Sequence, residues 1–238
     1  MPTCRAELHV HTLLSPCAGI EMIPPLIVEK ALNKGINVIG ITDHNASANV
    51  GAVMTAARQT DLTILPGIEL ETAEEIHSIC LFDTLDQIQD FQKIVDAHLP
   101  AYQNKEEFFG AQLVVDAEGN FLGKDDRLLS IATSLTLQEA CRIVQEMGGL
   151  FIPAHVNREA NGILSKLGAI PPDLPVAILE ISPVLSPEKA RLMYPQLAKY
   201  HLFQGGDVHY LMDFAGATTL QLENISVHSV EQAMIEQL

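Results

Sequence analysis

Several residues able to bind metal or move protons fall in tight pairs at the ends of apolar runs. Glu7-Leu8-His9-Val10-His11-Thr12 places two imidazoles two residues apart on a segment that reads as a strand. Side chains alternate across a strand, so His9 and His11 point the same way. Alone, such a pair fits a surface edge strand as well as a metal site. The pattern recurs, however. Asp43 and His44 follow the apolar run 37–42, Glu69 follows 62–65, His155 follows 150–154, and Asp207 and His209 follow 201–204. His77 lies on a further strand over 76–82. In a (β/α) barrel the strand ends converge on one face, where active sites are built. Neutral imidazoles mixed with carboxylates suit zinc, manganese or iron, and a carboxylate can bridge two ions. Closely spaced ions lower the pKa of a bridging water and stabilise both the attacking and the leaving oxygen of a phosphoryl transfer. The chain has no GxSxG elbow and no P-loop, and no Cys/His arrangement points to covalent catalysis.

The elements that must position these residues follow a strand–helix rhythm. A helix from Pro24-Pro25 to Gly35 uses proline in its first turn and glycine at its end. A second helix is predicted over 46–59, a turn at Pro66-Gly67 just before Glu69 and Glu71, and an amphipathic helix over 85–97. Segment 99–133 breaks the rhythm. Within it, 114–122 reads as a hairpin turning at Glu118-Gly119-Asn120, expected to cover the mouth of the site, to build an oligomer contact or to decorate the surface. The rhythm resumes with a helix over 136–147, a loop with one helical turn over 161–175, strand 176–181, helix 187–200, strand 201–204, strand 218–222 and a closing helix 228–238. The expectation is one α/β domain over 1–238, a parallel sheet or barrel of roughly seven strand–helix units interrupted by the insertion.

The 238 residues suffice for a core without staples, and Cys4, Cys17, Cys80 and Cys141 show no CxxC pairing or framework spacing. With no leader-like start and no apolar run near the roughly 20 residues of a membrane span, a soluble cytoplasmic protein without membrane contact is expected. Acidic residues outnumber basic ones 30 to 14, for a formal charge of −16. Such a field repels a phosphate polymer, so extended nucleic acid is not expected as a partner and a small phosphorylated substrate is.

Taken together and in order, ELHVHT, ITDHN, PGIELE, EIHSICLF, IPAHVNR and GGDVH resemble the PHP (polymerase and histidinol phosphatase) family of metal-dependent phosphoesterases. The resemblance covers nearly the whole chain outside 99–133. It implies a distorted, TIM-like (β/α)7 barrel and two or three divalent ions, zinc, manganese or iron, that hydrolyse phosphate esters. It also implies that His9, His11, Glu69 and Asp207 hold one ion, that Glu69 bridges to a second held by His77 and His155, and that His44 and His209 hold a third. Asp43 is expected to orient water or a ligand, Asp207 or Asp43 to share the proton, Arg158 to clamp phosphate and Glu180 to touch substrate. One stretch departs from the pattern. Where many relatives carry an Asp or His a few residues past the second histidine, this chain has Ser15-Pro16-Cys17-Ala18-Gly19, which leaves Cys17 as a thiolate ligand for zinc or as a bystander. The rival expectations are an amidohydrolase-type barrel and a metal-binding module without catalysis.

Overall fold

The computed structural model describes residues 2–216 and 218–236. Its central feature is a curled six-stranded sheet in the order β10-β1-β2-β3-β4-β7. These strands are β1 (Thr3–Val10), β2 (Val38–Ile41), β3 (Thr63–Glu71), β4 (His77–Leu81), β7 (Leu150–Pro153) and β10 (Thr218–Gln221). A parallel pair, β8 (Ile178–Ile181) and β9 (His201–Gln204), extends the curl beyond β7, and β5 (Leu113–Val115) with β6 (Phe121–Lys124) forms the inserted hairpin. The helices are α1 (Pro24–Asn33), α2 (Val50–Ala57), α3 (Leu85–His98), α4 (Glu106–Phe109), α5 (Leu137–Glu146), α6 (Ile163–Leu167), α7 (Pro187–Met193) and α8 (Val227–Glu236). The last two residues of the expected closing helix lie outside the described residues. No helix among the described residues is long and apolar enough to cross a membrane.

The architecture is mixed α/β and TIM-like, and the sheet departs from the expected parallel order at two strands. β4 runs antiparallel to β3, and β10 antiparallel to β1. The turn expected at Pro66-Gly67 is absent, because β3 continues straight through it. The strand pairs with β2 as far as Pro66 and with β4 from Gly67 onward. Proline's fixed φ suits an extended strand, and its missing N–H is tolerated where the ladder changes partner. The chain reverses instead at 72–76, where Thr72 N–H donates to Ile76 O and Glu75 takes a φ of 58°. This reversal sets His77 opposite Glu71, so an antiparallel strand delivers its first residue to the edge where its neighbours deliver their last.

The strands bury both faces. One cluster, including Ile39, Ile41, Ile68, Cys80 and Phe151, packs against Ile27, Val50, Phe91 and Val144 of the flanking helices. The other, including Leu8, Val38, Leu65, Ile79 and Ile152, packs against Val230 and Met234 of α8. Residues adjacent in sequence enter opposite clusters, as strand alternation requires, and each large side chain so buried contributes about 1.5–3 kcal/mol. Two helices start on reciprocal side-chain caps, Thr84 with Gln87 for α3 and Thr136 with Glu139 for α5.

Backbone bonds beyond the regular ladders lock the ends of these strands together. Val208 N–H donates to His9 O and His11 N–H to Val208 O, which fastens the segment after β9 onto β1. Thr42 N–H donates to Val10 O, Glu69 N–H to Asp43 O and Asn45 N–H to Glu69 O. Val156 N–H reaches Glu180 O across the gap between β7 and β8. Each of these segments carries or adjoins residues of the histidine cluster. The insertion clamps the same edge from outside: Leu113 N–H donates to Leu13 O, Val115 N–H to Asn49 Oδ1, and Asn45 Nδ2 to Leu129 O and Ile131 O.

Candidate metal centre

Glu69 is the hub. Its carboxylate is fully buried, with His44 Nδ1 and His77 Nδ1 each at 2.9 Å, His155 Nε2 at 3.1 Å, His9 Nε2 at 3.2 Å and His11 Nε2 at 3.4 Å. Asp207 Oδ1 shares two of these imidazoles, 3.4 Å from His9 Nε2 and 3.3 Å from His11 Nε2. His209 stacks on His11 with ring centroids 4.1 Å apart. The eight expected ligands are therefore brought together. Donor atoms within 4.8 Å of one another form three groups: His9/His11/Glu69/Asp207, His44/Glu69/His77 and His11/His44/His209. His155 touches Glu69 without joining a group, and His11 and His44 as well as Glu69 each take part in two, so the donors are shared more widely than in the expected division, where Glu69 alone is shared.

Burial opposes charge on Glu69, yet His77, His9 and His44 hold its pKa well below the ordinary value. Burial likewise works against a proton on His9, but Glu180, Glu69 and Asp207 raise it well above the usual imidazole value. At His11 burial and the neighbouring His209 act together and push the pKa down. His9 Nε2, His11 Nε2, Glu69 Oε2 and His155 Nδ1 are buried without a hydrogen-bond partner. Such orphaned atoms are costly, and a cation held among them removes that cost. The donor set, imidazole nitrogens with carboxylate oxygens, fits a divalent transition ion or zinc.

The outward nitrogens of the inner histidines are fixed by neighbours. His9 Nδ1 lies 3.0 Å from both oxygens of Glu180, whose Oε2 also accepts from His155 N–H. A side chain on Gly205 would collide with the Glu180 carboxylate, so glycine is what admits this acid. His11 Nδ1 lies 2.9 Å from Ser15 Oγ, and Ser15 Oγ–H donates to Asp43 Oδ1 at 2.7 Å. Asp43 also accepts from Thr12 N–H and Thr12 Oγ1–H, each at 2.7 Å. Both acids thus position histidines. The Asp43 carboxylate is taken up by the turn after β1, where it holds Ser15 and through it His11, and Glu180 holds His9 and the backbone of His155 while also lining the cleft beside Arg158.

Arg158 pairs with Asp207 Oδ2 and remains 45% exposed at the edge of a cleft of about 290 Å³ that also borders Pro183, Val184 and Gly206. Cys17 Sγ lies 3.1 Å from His209 Nε2 and 3.3 Å from His44 Nε2. Burial opposes its ionisation, but those two imidazoles draw the thiol down to about 6. His155 at φ 28° and Asp207 at φ 46° have positive φ, a backbone conformation in which His and Asp are found more often than most side chains, and both are candidate ligands.

Sequence reasoning passed over Ser15, Thr12 and Glu7. Ser15 stands four residues beyond His11, a spacing that signals nothing without the turn that brings it back. Glu7 is buried behind the site, accepting from Gly206 N–H and Gly216 N–H, and burial pushes its pKa up to about 7. His98, at the end of α3, sits on Ser134 at the surface, and Glu71 accepts from Asn161 Nδ2 at 3.2 Å.

Among curated proteins, none matches this chain. Among solved structures it resembles a lesion-specific endonuclease from Pyrococcus furiosus, at 16% identity and TM-score 0.71 over 99% of this chain and 56% of that one. It likewise resembles endonuclease Q complexed with a 27-mer duplex carrying an abasic lesion at the active site (15%, TM-score 0.70, 98% and 56%). A third is a protein from Bifidobacterium adolescentis assigned as a metal-dependent phosphoesterase (16%, TM-score 0.59, 98% and 96%). The chain thus spans little more than half the length of the two endonucleases. The exclusion of nucleic acid drawn from net charge is overturned, because a chain of this fold is solved on duplex DNA. Net charge averages over the whole surface and omits bound cations, whereas a phosphate group meets the local field of a site. The sequence profile of the PHP domain matches residues 7–159, which carry all the ligand positions except those on the loop after β9, and the chain belongs to this family of metal-dependent hydrolases.

Proposed function

We propose that this chain hydrolyses phosphate esters at a centre of two or three divalent ions, zinc, manganese or iron. The observation that carries the reading is Glu69: one fully buried carboxylate with five imidazole nitrogens within 3.4 Å, where His9 Nε2, His11 Nε2 and Glu69 Oε2 have no hydrogen-bond partner. His9, His11, Glu69 and Asp207 would hold one ion and Glu69 with His77 and His155 a second, with His44, whose Nδ1 faces Glu69 and whose Nε2 faces Cys17, standing between that second site and a third with His209. When bound, the ions supply an activated water and Lewis-acid stabilisation of the phosphoryl oxygens.

The chain's own residues do the rest. Glu180, able only to accept, keeps the proton of His9 on Nδ1, so that Nε2 presents its lone pair to the cluster. Ser15 does the same for His11, and Asp43 holds Ser15 in place. Arg158 is exposed enough to turn part of its planar fork from Asp207 to a phosphate, which its geometry matches in bidentate fashion. Once released, Asp207 Oδ2 is positioned to take a proton beside the cleft. The cleft suits a single sugar- or base-sized group attached to the phosphate. The ester is that of a phosphorylated metabolite or of a nucleotide unit in a longer strand.

The test is turnover by the full chain reconstituted separately with manganese, zinc and iron. Its panel holds nucleotides, sugar phosphates, end-phosphorylated oligonucleotides and a duplex with an abasic site, with Glu69→Gln as control. Metal-loaded protein inert across the panel refutes the reading. Cleavage of amides or lactones in place of phosphate esters moves the chain to amidohydrolase chemistry.

A further inference from the structure

We propose that Cys17 is a thiolate ligand, so that the outer end of the cluster is a sulfur-containing site where Cys17, His44 and His209 together hold a zinc-type ion. The inference rests on the metal-centre reading above and adds to it a donor outside the three nitrogen and oxygen groups.

Three side chains from three separate segments meet there. Cys17 Sγ is 3.1 Å from His209 Nε2 and 3.3 Å from His44 Nε2. On a tetrahedral zinc ion with ordinary bond lengths, sulfur and nitrogen ligands stand about 3.5 Å apart. Both sulfur–nitrogen distances are thus within a few tenths of an ångström of the spacing that a shared ion requires, and the His44 and His209 rings that flank the thiol have centroids 6.1 Å apart. A second observation points to a cation beside the thiol. His11, shared with the inner group, is fully buried, its Nε2 has no hydrogen-bond partner, and it belongs with His44 and His209 to a group whose donor atoms lie within 4.8 Å.

The turn bearing the thiol is built to stay. Ala18 N–H donates to Ser15 O at 2.9 Å, Met22 N–H to Gly19 O at 3.0 Å and Gly19 N–H to His209 O at 2.8 Å, the last tying the Cys17 turn directly to the backbone of the histidine it faces. From outside, Gly110 of the insertion, at φ 92°, brings its backbone so close to Pro16 O that no side chain fits there. The insertion therefore braces the turn from solvent. A soft sulfur donor beside two imidazoles selects zinc over manganese, whereas the His9/His11/Glu69/Asp207 group offers only nitrogen and oxygen. One centre then contains two chemically distinct sites.

The experiment loads the full chain, wild type and Cys17→Ser, with cobalt(II) or zinc. Wild type is expected to show a thiolate-to-cobalt charge-transfer band that Cys17→Ser lacks, and to retain one more zinc ion per chain. Cys17→Asp, which restores a ligand without sulfur, is expected to recover the ion count without the band. Alkylation gives a separate readout, since Cys17 is exposed whereas Cys4, Cys80 and Cys141 are buried. Zinc is expected to slow labelling of native protein at Cys17 more than tenfold. Equal ion counts in wild type and Cys17→Ser, no sulfur band and labelling indifferent to zinc overturn the proposal while leaving the metal centre standing. No cobalt or zinc bound by either protein overturns both.

Discussion

His9 and His209 belong to one cluster and live in different surroundings. The His9 side chain is 0% exposed, locked on one side by Glu180 and on the other facing Glu69 and Asp207. The His209 side chain is 19% exposed and faces a thiol on a turn. At the inner end His9 and Glu69 sit within strands, the segments of His11 and Asp207 are fastened to β1 or its continuation by backbone bonds, and second partners hold the outward nitrogens of His9 and His11. At the outer end the donors come from loops, and one neighbour, Cys17, is of a different chemical kind. On the proposed reading, the inner end carries most of the metal affinity and the outer end tunes which ion is preferred.

Substitutions at the two ends break this contrast to different degrees. The largest effect is expected for Glu69→Gln, which removes the charge shared by two of the three groups of the cluster. Loss of bound metal and a fall in activity beyond about 100-fold, the upper range for merely supporting residues, are expected from elemental analysis and turnover. Retention of full metal content would show that Glu69 is not the hub. Glu180→Gln keeps the shape but weakens the hold on His9. A 10–100-fold loss of metal affinity in chelator competition is expected, confined to the inner ions. Arg158→Ala leaves every proposed ligand in place. Its signature is a KM raised about tenfold or more, the worth of a charge-assisted hydrogen bond, with metal content unchanged. A drop in metal content instead would assign Arg158 to the support of Asp207.

The smallest effect, about tenfold in affinity per pH unit for each proton displaced, concerns protons. In the metal-free chain the carboxylates raise His9 and His44 well above the ordinary imidazole value, against their burial. Ligating nitrogens must be unprotonated, so metal loading at neutral pH releases protons, and affinity falls as pH falls. Titration calorimetry in buffers of different ionisation heat measures the release directly. No buffer dependence would mean that these histidines are already neutral before metal arrives.

Much of the site is legible in the chain because its ligands follow hydrophobic runs. Strand ends are where a barrel concentrates function, so the positions of His9, His11, Glu69, His155 and Asp207 follow from locating the runs. The reversal at 72–76 is not legible in the same way. Pro66-Gly67 carries the stronger turn signal, but β3 passes through it because burial on both faces and pairing with two neighbours outweigh local preference. The insertion hairpin falls where its alternation and Glu118-Gly119-Asn120 place it, while its contact with the turn after β1 depends on bonds such as Leu113 N–H to Leu13 O, made a hundred residues apart in sequence.

The amino-acid sequence by itself determined the kinds of donor present, their order along the chain and their attachment to strand ends, because residue type and hydrophobic period are local properties. Only the tertiary structure decided how the donors are shared. Glu180 came to hold His9 at the wall of the cleft, Asp43 came to hold Ser15 behind His11, His44 came to serve two groups, and Cys17 met two imidazoles. Those outcomes depend on which loops the curled sheet brings face to face, and a buried polar atom is committed by whichever partner lies within about 3 Å once water has been excluded.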